Sequence, residues 1–246
     1  MTGCLFKSGP FFQWKMTKKW AIVTEIGDEM TKFRAEIPPN LRAQIEKLGR
    51  LQIAKPGERL LFQGEPASHI GFVLSGRAKA ISFSANGTET WLGRFEAGEF
   101  FGHIAFLTES HVRFEVSAEE MMSIRLLPID DVKTLMDTAP DMGGIFARDL
   151  ANRLDMMMAR LVEALTLSAK GRVSAELLRL SNPIGINPSM SVIRPNPIFV
   201  DMALRINSTR ETVSRAISDL EKRGIIKREA GAIVIEKPEA LKKSIR

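Results

Sequence analysis

Ser208-Thr209-Arg210-Glu211-Thr212-Val213-Ser214-Arg215-Ala216-Ile217 is the stretch on which the reading of this chain turns. Wound at 3.6 residues per turn, it separates into two unlike faces. Val213, Ala216, Ile217 and Leu220 form an apolar stripe suited to packing inward. Arg210, Glu211, Ser214, Arg215 and Ser218 share the opposite face. That face offers two guanidinium forks, a carboxylate and two hydroxyls. An Arg fork pairs bidentately with guanine O6 and N7, and a carboxylate accepts from cytosine N4. A charged helix face is most often merely solvated, so the flanking residues must decide between the two readings. Phe199, Met202, Ala203 and Ile206 predict a one-sided helix just upstream. Asn207, which tolerates the left-handed conformation, stands where the chain must turn. Thr209 stands where a side-chain oxygen can cap the second helix. Helix, short turn and a second helix with a polar N-terminal face make a helix-turn-helix whose partner is double-stranded DNA.

Downstream, Gly224 ends the helix, and Ile225–Glu229 and Ala232–Ile235 read as two short strands about a tight turn. Lys227 and Arg228 fall on this wing, close to where phosphates would run. From residue 168 onward there are fifteen Lys and Arg against eight acids. The net charge of +7 exceeds the +6 of the whole chain. A basic module on a near-neutral body is the electrostatic footprint of a nucleic-acid binder.

The run Arg210-Glu211-Thr212-Val213-Ser214-Arg215, followed by Ile-Ser-Asp-Leu-Glu-Lys-Arg-Gly-Ile-Ile, resembles the winged helix of the Crp/Fnr family of bacterial transcription regulators. The resemblance spans about residues 165 to 246. It implies that Glu211 and Arg215 contact base pairs of a palindromic half-site of the TG-N-N-A or TTGA type. Ser214 and Arg210 match further contact positions used in branches of the family. RNA polymerase is a further partner that the resemblance suggests.

Ahead of this module, Pro56-Gly57-Glu58, Gln63-Gly64-Glu65, Leu74-Ser75-Gly76 and Gly98-Glu99-Phe100-Phe101-Gly102 punctuate short apolar runs. Many short strands between glycine turns predict an antiparallel β-roll or jelly roll. Asn86-Gly87 predicts a type I′ hairpin turn. The order of these glycine motifs, over about residues 50 to 132, is similar to the cyclic-nucleotide-binding domain of the same family. The effector pocket implied by that likeness would include Gly102, His103, Ile104, Ala105, Arg113 and Phe114. The fit is poor. His103 stands where nucleotide-binding members place a ribose-holding Glu, and Phe114-Glu115 replace small hydroxyl residues after Arg113. A buried phosphate needs a paired cation and donors, and Glu115 would repel it. Cyclic nucleotide is therefore disfavoured as effector. Haem on His103 is disfavoured further, no metal site is expected, and no cofactor is assigned. His69 reads as exposed.

Between the two modules, Phe146, Leu150, Leu154, Met157 or Met158, Leu161 and Leu165 recur near the 3.5-residue spacing of a two-stranded coiled coil. They predict a long helix over Met142 to Leu167 that joins two copies of the chain. Arg148, Asp149, Asn152, Arg153 and Arg160 form its opposite face. Gly171 is the expected hinge, a helix runs from Arg172 to Leu180, and part of Ser181–Pro197 is expected to form a hairpin.

The 246 residues allow about two domains. The expected class is α+β: an N-terminal extension over 1–30, a sensor over 31–138, a dimerisation helix over 139–167 and a winged helix-turn-helix over 168–246. No apolar run is long enough for a membrane helix, and no signal peptide is legible, so a cytoplasmic location is expected. The single cysteine, Cys4, excludes an internal disulfide and a four-cysteine iron–sulfur site. No P-loop, Gly-x-Ser-x-Gly or His-Glu-x-x-His motif suggests catalysis. The expected function is a sequence-specific DNA-binding regulator, a homodimer gated by an effector at the degenerate pocket. The alternatives are a constitutive, ligand-free regulator and a cyclic-nucleotide-binding signalling module.

Overall fold

A computed structural model describes residues 37–184 and 187–245. The expected extension over 1–30 lies outside the described residues. Helix α1 (Pro39–Leu48) starts on a proline, whose missing N–H would be unsatisfied there anyway, and buries Leu41 and Ile45. Eight strands follow: β1 (Arg50–Ala54), β2 (Arg59–Leu61), β3 (His69–Ser75), β4 (Arg77–Phe83), β5 (Glu89–Glu96), β6 (Phe100–Phe101), β7 (Glu115–Ala118) and β8 (Met122–Pro128). They pair antiparallel in two four-stranded sheets, ordered β1-β8-β3-β6 and β2-β7-β4-β5. The core between the sheets holds Leu61, Val73, Ala80, Phe95, Phe101, Val116 and Ile124. Gly71 admits the closest approach inside the roll: a Cβ there would overlap the ring of Phe101.

The hairpin joining β4 to β5 departs from the type I′ expectation. Gly87 is left-handed (φ 78°), but Asn86 is not among the residues of positive φ. Gly87 N donates to Ser84 O at 2.8 Å and Ser84 N to Thr88 O at 3.0 Å. The loop is thus one residue longer and needs only one left-handed position, the glycine.

Helix α2 (His103–Leu107) lies between β6 and β7, and α3 (Ile129–Thr138) leads into the long α4 (Asp141–Thr166). A short apolar stripe with buried Val132 and Leu135 sets α3 on the roll. A second core, with Leu41, Phe72, Phe100, Leu135 and Phe146, ties α1, α3 and the start of α4 to the outer face of one sheet.

Beyond α4 come α5 (Ala169–Leu180), a hairpin of β9 (Asn182–Ile184) and β10 (Asn187–Ile193), α6 (Phe199–Arg205), α7 (Arg210–Lys222), β11 (Ile226–Glu229), β12 (Ala232–Ile235) and α8 (Pro238–Lys243). The strands form one sheet ordered β11-β12-β10-β9. Val173, Leu177, Met202, Val213, Ile217, Ile233 and Leu241 share the core of this module.

Gly171 is not the hinge. It lies buried within α5, where a Cβ would meet the carbonyl oxygen of Ile245. The helical path breaks earlier, at extended Leu167, and Ser168 caps α5 by accepting from Gly171 N at 3.0 Å. Glycine is needed there for close approach of the chain's end, not for bending.

Candidate nucleic-acid interface and effector pocket

The ridge expected to read DNA lies on α7. Val213, Ala216, Ile217 and Leu220 are buried, so the orientation of the helix is fixed by its apolar face. Asn207 takes the left-handed conformation (φ 48°) and turns the chain between α6 and α7. The Thr209 hydroxyl accepts from Thr212 N at 3.2 Å and caps the helix. Arg210, Glu211 and Arg215 are exposed and Ser214 is half-buried beside them. The backbone N–H of Glu211 and the Thr209 hydroxyl hold the Glu211 carboxyl below the usual range, with help from Arg210 and Arg215. Glu211 therefore presents an acceptor at neutral pH, flanked by two donor forks.

On the wing, Lys227 and Arg228 are exposed. Arg228 Nη2 lies 2.6 Å from Glu221 and Lys227 Nζ 3.0 Å from Glu229. Both pairs are open to water and worth little, so either cation can exchange its partner for a phosphate. A cavity of about 350 Å³ flanks α7, lined among others by Lys170, Asp219, Arg223 and Lys243. Its three cations sit beside the N-terminus of α5, which adds positive potential to that flank.

The residues of the expected effector pocket do not converge on a ligand. Gly102 is left-handed (φ 89°) and Ala105 buried in the inter-sheet core, with Ile104 half-buried next to it. His103 is fully buried and turned toward α4: its Nε2 lies 3.0 Å from Asp149 Oδ2, and its ring stacks on Phe146 at 5.2 Å. Arg113 is exposed and Glu115 pairs with Arg59 at 3.4 Å. Phe114 instead stacks against Phe95 at 6.5 Å. A cyclic nucleotide needs a cation on its phosphate and a polar partner on its ribose. Here the cation is exposed at the surface and the His103 ring faces Asp149 of another helix, so the two are not brought together around a nucleotide.

The polar face of α4 is docked on its own chain at Asp149, Arg153 and Arg160. Arg153 donates to Asp149 at 2.7 Å, lies 3.7 Å from Glu99, and places its guanidinium 4.1 Å from the centre of the Phe95 ring. Burial pushes the Glu99 carboxyl up despite Arg153. Burial acts the same way on Asp149, but its bond to His103 and the charge of Arg153 outweigh it, and that carboxyl is held low. His69 is likewise half-buried, with Nε2 3.2 Å from Leu60 O, and burial lowers its pKa.

Farther along α4 lies a charged junction that sequence reasoning missed. Glu176 of α5 is 1% exposed and meets Arg179 directly, Arg160 at 3.5 Å and Arg205 at 3.6 Å. Glu163 holds Arg179 at 2.6 Å. Arg160 and Arg205 also lie over the ring of Trp91 on β5, at 4.4 and 5.8 Å. An acid among the apolar residues of α5 was the one available signal, since such a position demands a buried cation.

Two family models match this chain: a cyclic nucleotide-binding domain over residues 51–139 and a Crp-like helix-turn-helix domain over 171–244. Among curated proteins, it is 23% identical over 217 residues to a CRP-like cAMP-activated global transcriptional regulator of Mycobacterium tuberculosis, covering 87% of this chain and 96% of that one. It is 26% identical over 222 residues to a global nitrogen regulator of Synechococcus elongatus, covering 86% and 94%. Among solved structures, the c-di-GMP responsive global regulator CLP of Xanthomonas campestris superposes with a TM-score of 0.71 at 18% identity, covering 80% of this chain and 99% of that one.

Proposed function

This chain belongs to the Crp/Fnr family of transcription regulators, and from that premise we propose that it binds a palindromic operator as a homodimer, each copy reading one half-site with α7. The family's members act on transcription by binding DNA and are not enzymes. One observation carries the reading: Arg210, Glu211, Ser214 and Arg215 stand on the outer face of a capped helix whose other face is buried. In this reading Arg215 and Glu211 specify bases, Arg210 and Ser214 add contacts, and Thr209, Lys227 and Arg228 face the phosphates. The working division is a sensor over 31–138, a dimerisation helix over 139–167 and a DNA-binding module over 168–246. A cytoplasmic location and RNA polymerase as a further partner follow from the same role.

The second copy is assigned to α4. Leu154, Met157, Met158, Leu161, Val162 and Leu165 are between 47% and 78% exposed on one side of it, while its other side is docked on its own chain. A continuous apolar stripe of that kind marks a protein interface. Two-fold pairing along it also matches the symmetry of a palindrome.

In this reading the effector is a chemistry other than a cyclic nucleotide, because Arg113 stands exposed at the surface and His103 faces Asp149 of α4. Phe95, Phe101 and Phe114 pack on one another within the roll, which favours a second reading, a constitutive regulator that needs no ligand.

Selection of bound duplexes from a random library tests the proposal. The wild-type protein is expected to enrich a palindrome. Arg215→Ala removes a fork worth about 1–3 kcal/mol of base discrimination, or roughly five- to 150-fold, per half-site. If that variant enriches the same operator equally well, the assignment of α7 is wrong.

A further inference from the structure

The turn that launches α7 is held from two sides by arginines of other helices. Arg160 of α4 donates to the carbonyl oxygen of Arg205 at 3.2 Å. Arg172 of α5 donates to the carbonyls of Ile206 at 2.9 Å and Asn207 at 3.4 Å, and also to Leu167 O, at the end of α4, at 2.9 Å. These oxygens belong to the last turn of α6 and the loop after it, immediately before the cap of α7. The side chain of Arg205 then crosses to the sensor sheet. It is only 10% exposed, lies 5.8 Å over Trp91 and 3.8 Å from Glu119, which Arg94 holds at 2.7 Å. Helix α6 packs against β5 at this place.

We propose that the Trp91–Arg205–Glu119 contact is a positioning device that sets the half-site spacing this regulator accepts. The inference rests on the homodimer reading above. If two copies pair along α4, the separation and relative rotation of the two α7 helices depend on how rigidly each is fixed to its own α4. Arg160 and Arg172 fix the base of α7 to α4 and α5, but both lie near its pivot. Arg205 adds a lateral tie to a third body, the sensor sheet, through Trp91 of β5, whose ring Arg160 also covers at 4.4 Å, and through Glu119 just after β7. A hinge held only at its pivot still swings; one held at a second, offset point does not. One base pair more or less between half-sites shifts a site by about 3.4 Å and rotates it by roughly a tenth of a turn. A tied module rejects such a site, and an untied module accommodates it. The reading ridge is exposed while the tie is made, so the tie is compatible with DNA binding.

The Trp91 indole Nε1 is buried without an acceptor among the described residues, so the ring acts here as a platform and not as a donor. Trp91→Phe keeps a platform and removes the orphaned donor. Trp91→Ala removes both, and Glu119→Gln removes the charge while keeping the shape.

The experiment presents full-length protein with a pool of duplexes carrying the selected half-sites at spacers that differ by single base pairs. Wild type and Trp91→Phe are expected to favour one spacer over its neighbours by about tenfold, equivalent to about 1.4 kcal/mol. Trp91→Ala and Glu119→Gln are expected to flatten that preference to about two- or threefold while still choosing the same half-site bases. Unchanged sharpness in both variants overturns the proposal. So does loss of half-site choice together with spacing, which would mark the contact as merely structural. Sedimentation of the wild type separates the underlying reading: a monomer that enriches single half-sites refutes the homodimer, and this inference falls with it.

Discussion

Replacing Glu176 by Gln gives the most direct measure of the charged junction. The substitution keeps shape and removes one charge from a side chain 1% exposed. In the native chain Glu176 serves three guanidiniums: Arg179 in direct contact, Arg160 at 3.5 Å and Arg205 at 3.6 Å. Glu163 and Glu119 satisfy only part of that positive charge, at Arg179 (2.6 Å) and Arg205 (3.8 Å). Removing one partner from a buried ion pair costs about 3–5 kcal/mol, because the remaining charges stay desolvated. The arginine side chains are 10% to 26% exposed and can recover some hydration. The lower end, about 3 kcal/mol, is therefore expected. For a chain of this size each kcal/mol moves the melting midpoint by about 2–4 °C, so a fall of roughly 6–12 °C should appear by calorimetry. Glu221→Gln is the internal comparison, since its carboxylate pairs with Arg228 in the open and no measurable change is expected. A midpoint for Glu176→Gln that stays within the scatter of Glu221→Gln would refute the claim that burial makes this junction costly to break.

Three other outcomes are expected. Thr209→Ala removes the oxygen that accepts from Thr212 N and should cost about 1 kcal/mol in chemical denaturation, with a larger loss excluded by the exposure of the site. Asp149→Asn should show a pH-dependent stability difference from wild type. The folded-state carboxyl is held low, so the stabilisation it supplies is complete above the unfolded value of about 4 and disappears as pH falls through the lower folded value. A difference that instead grew on acidification would contradict the pairing with His103 and Arg153. Titration calorimetry with cyclic AMP should give no saturable heat, and Arg113→Ala should leave that result unchanged, because Arg113 lies at the surface.

The DNA-binding half was largely legible from the sequence because its signals are local. A left-handed Asn207, a Thr209 cap and a four-residue apolar stripe are each set by neighbours within one or two helical turns, and all three recur in the structure. The β-roll was legible through its glycine turns, although the Asn86–Gly87 loop took a different turn type, since backbone twist can be relieved by one extra residue. The partners of the polar face of α4 were not legible for a different reason. Periodicity sets Asp149, Arg153 and Arg160 opposite the apolar stripe but does not say what they meet. Their partners lie far off in the chain, with His103 46 residues and Trp91 69 residues distant. Helix α3 was missed because its stripe is short. Gly171 was misjudged because a glycine needed for close approach resembles, in sequence, a glycine needed for bending.

Gly71 and Phe101 share one parcel of space inside the roll. The aromatic ring occupies the volume that any side chain at the neighbouring strand position would claim. Neither site can therefore drift independently. An alanine at Gly71 would be accommodated only alongside a smaller residue at Phe101, and reversion of either change alone would leave the roll overfull or hollow.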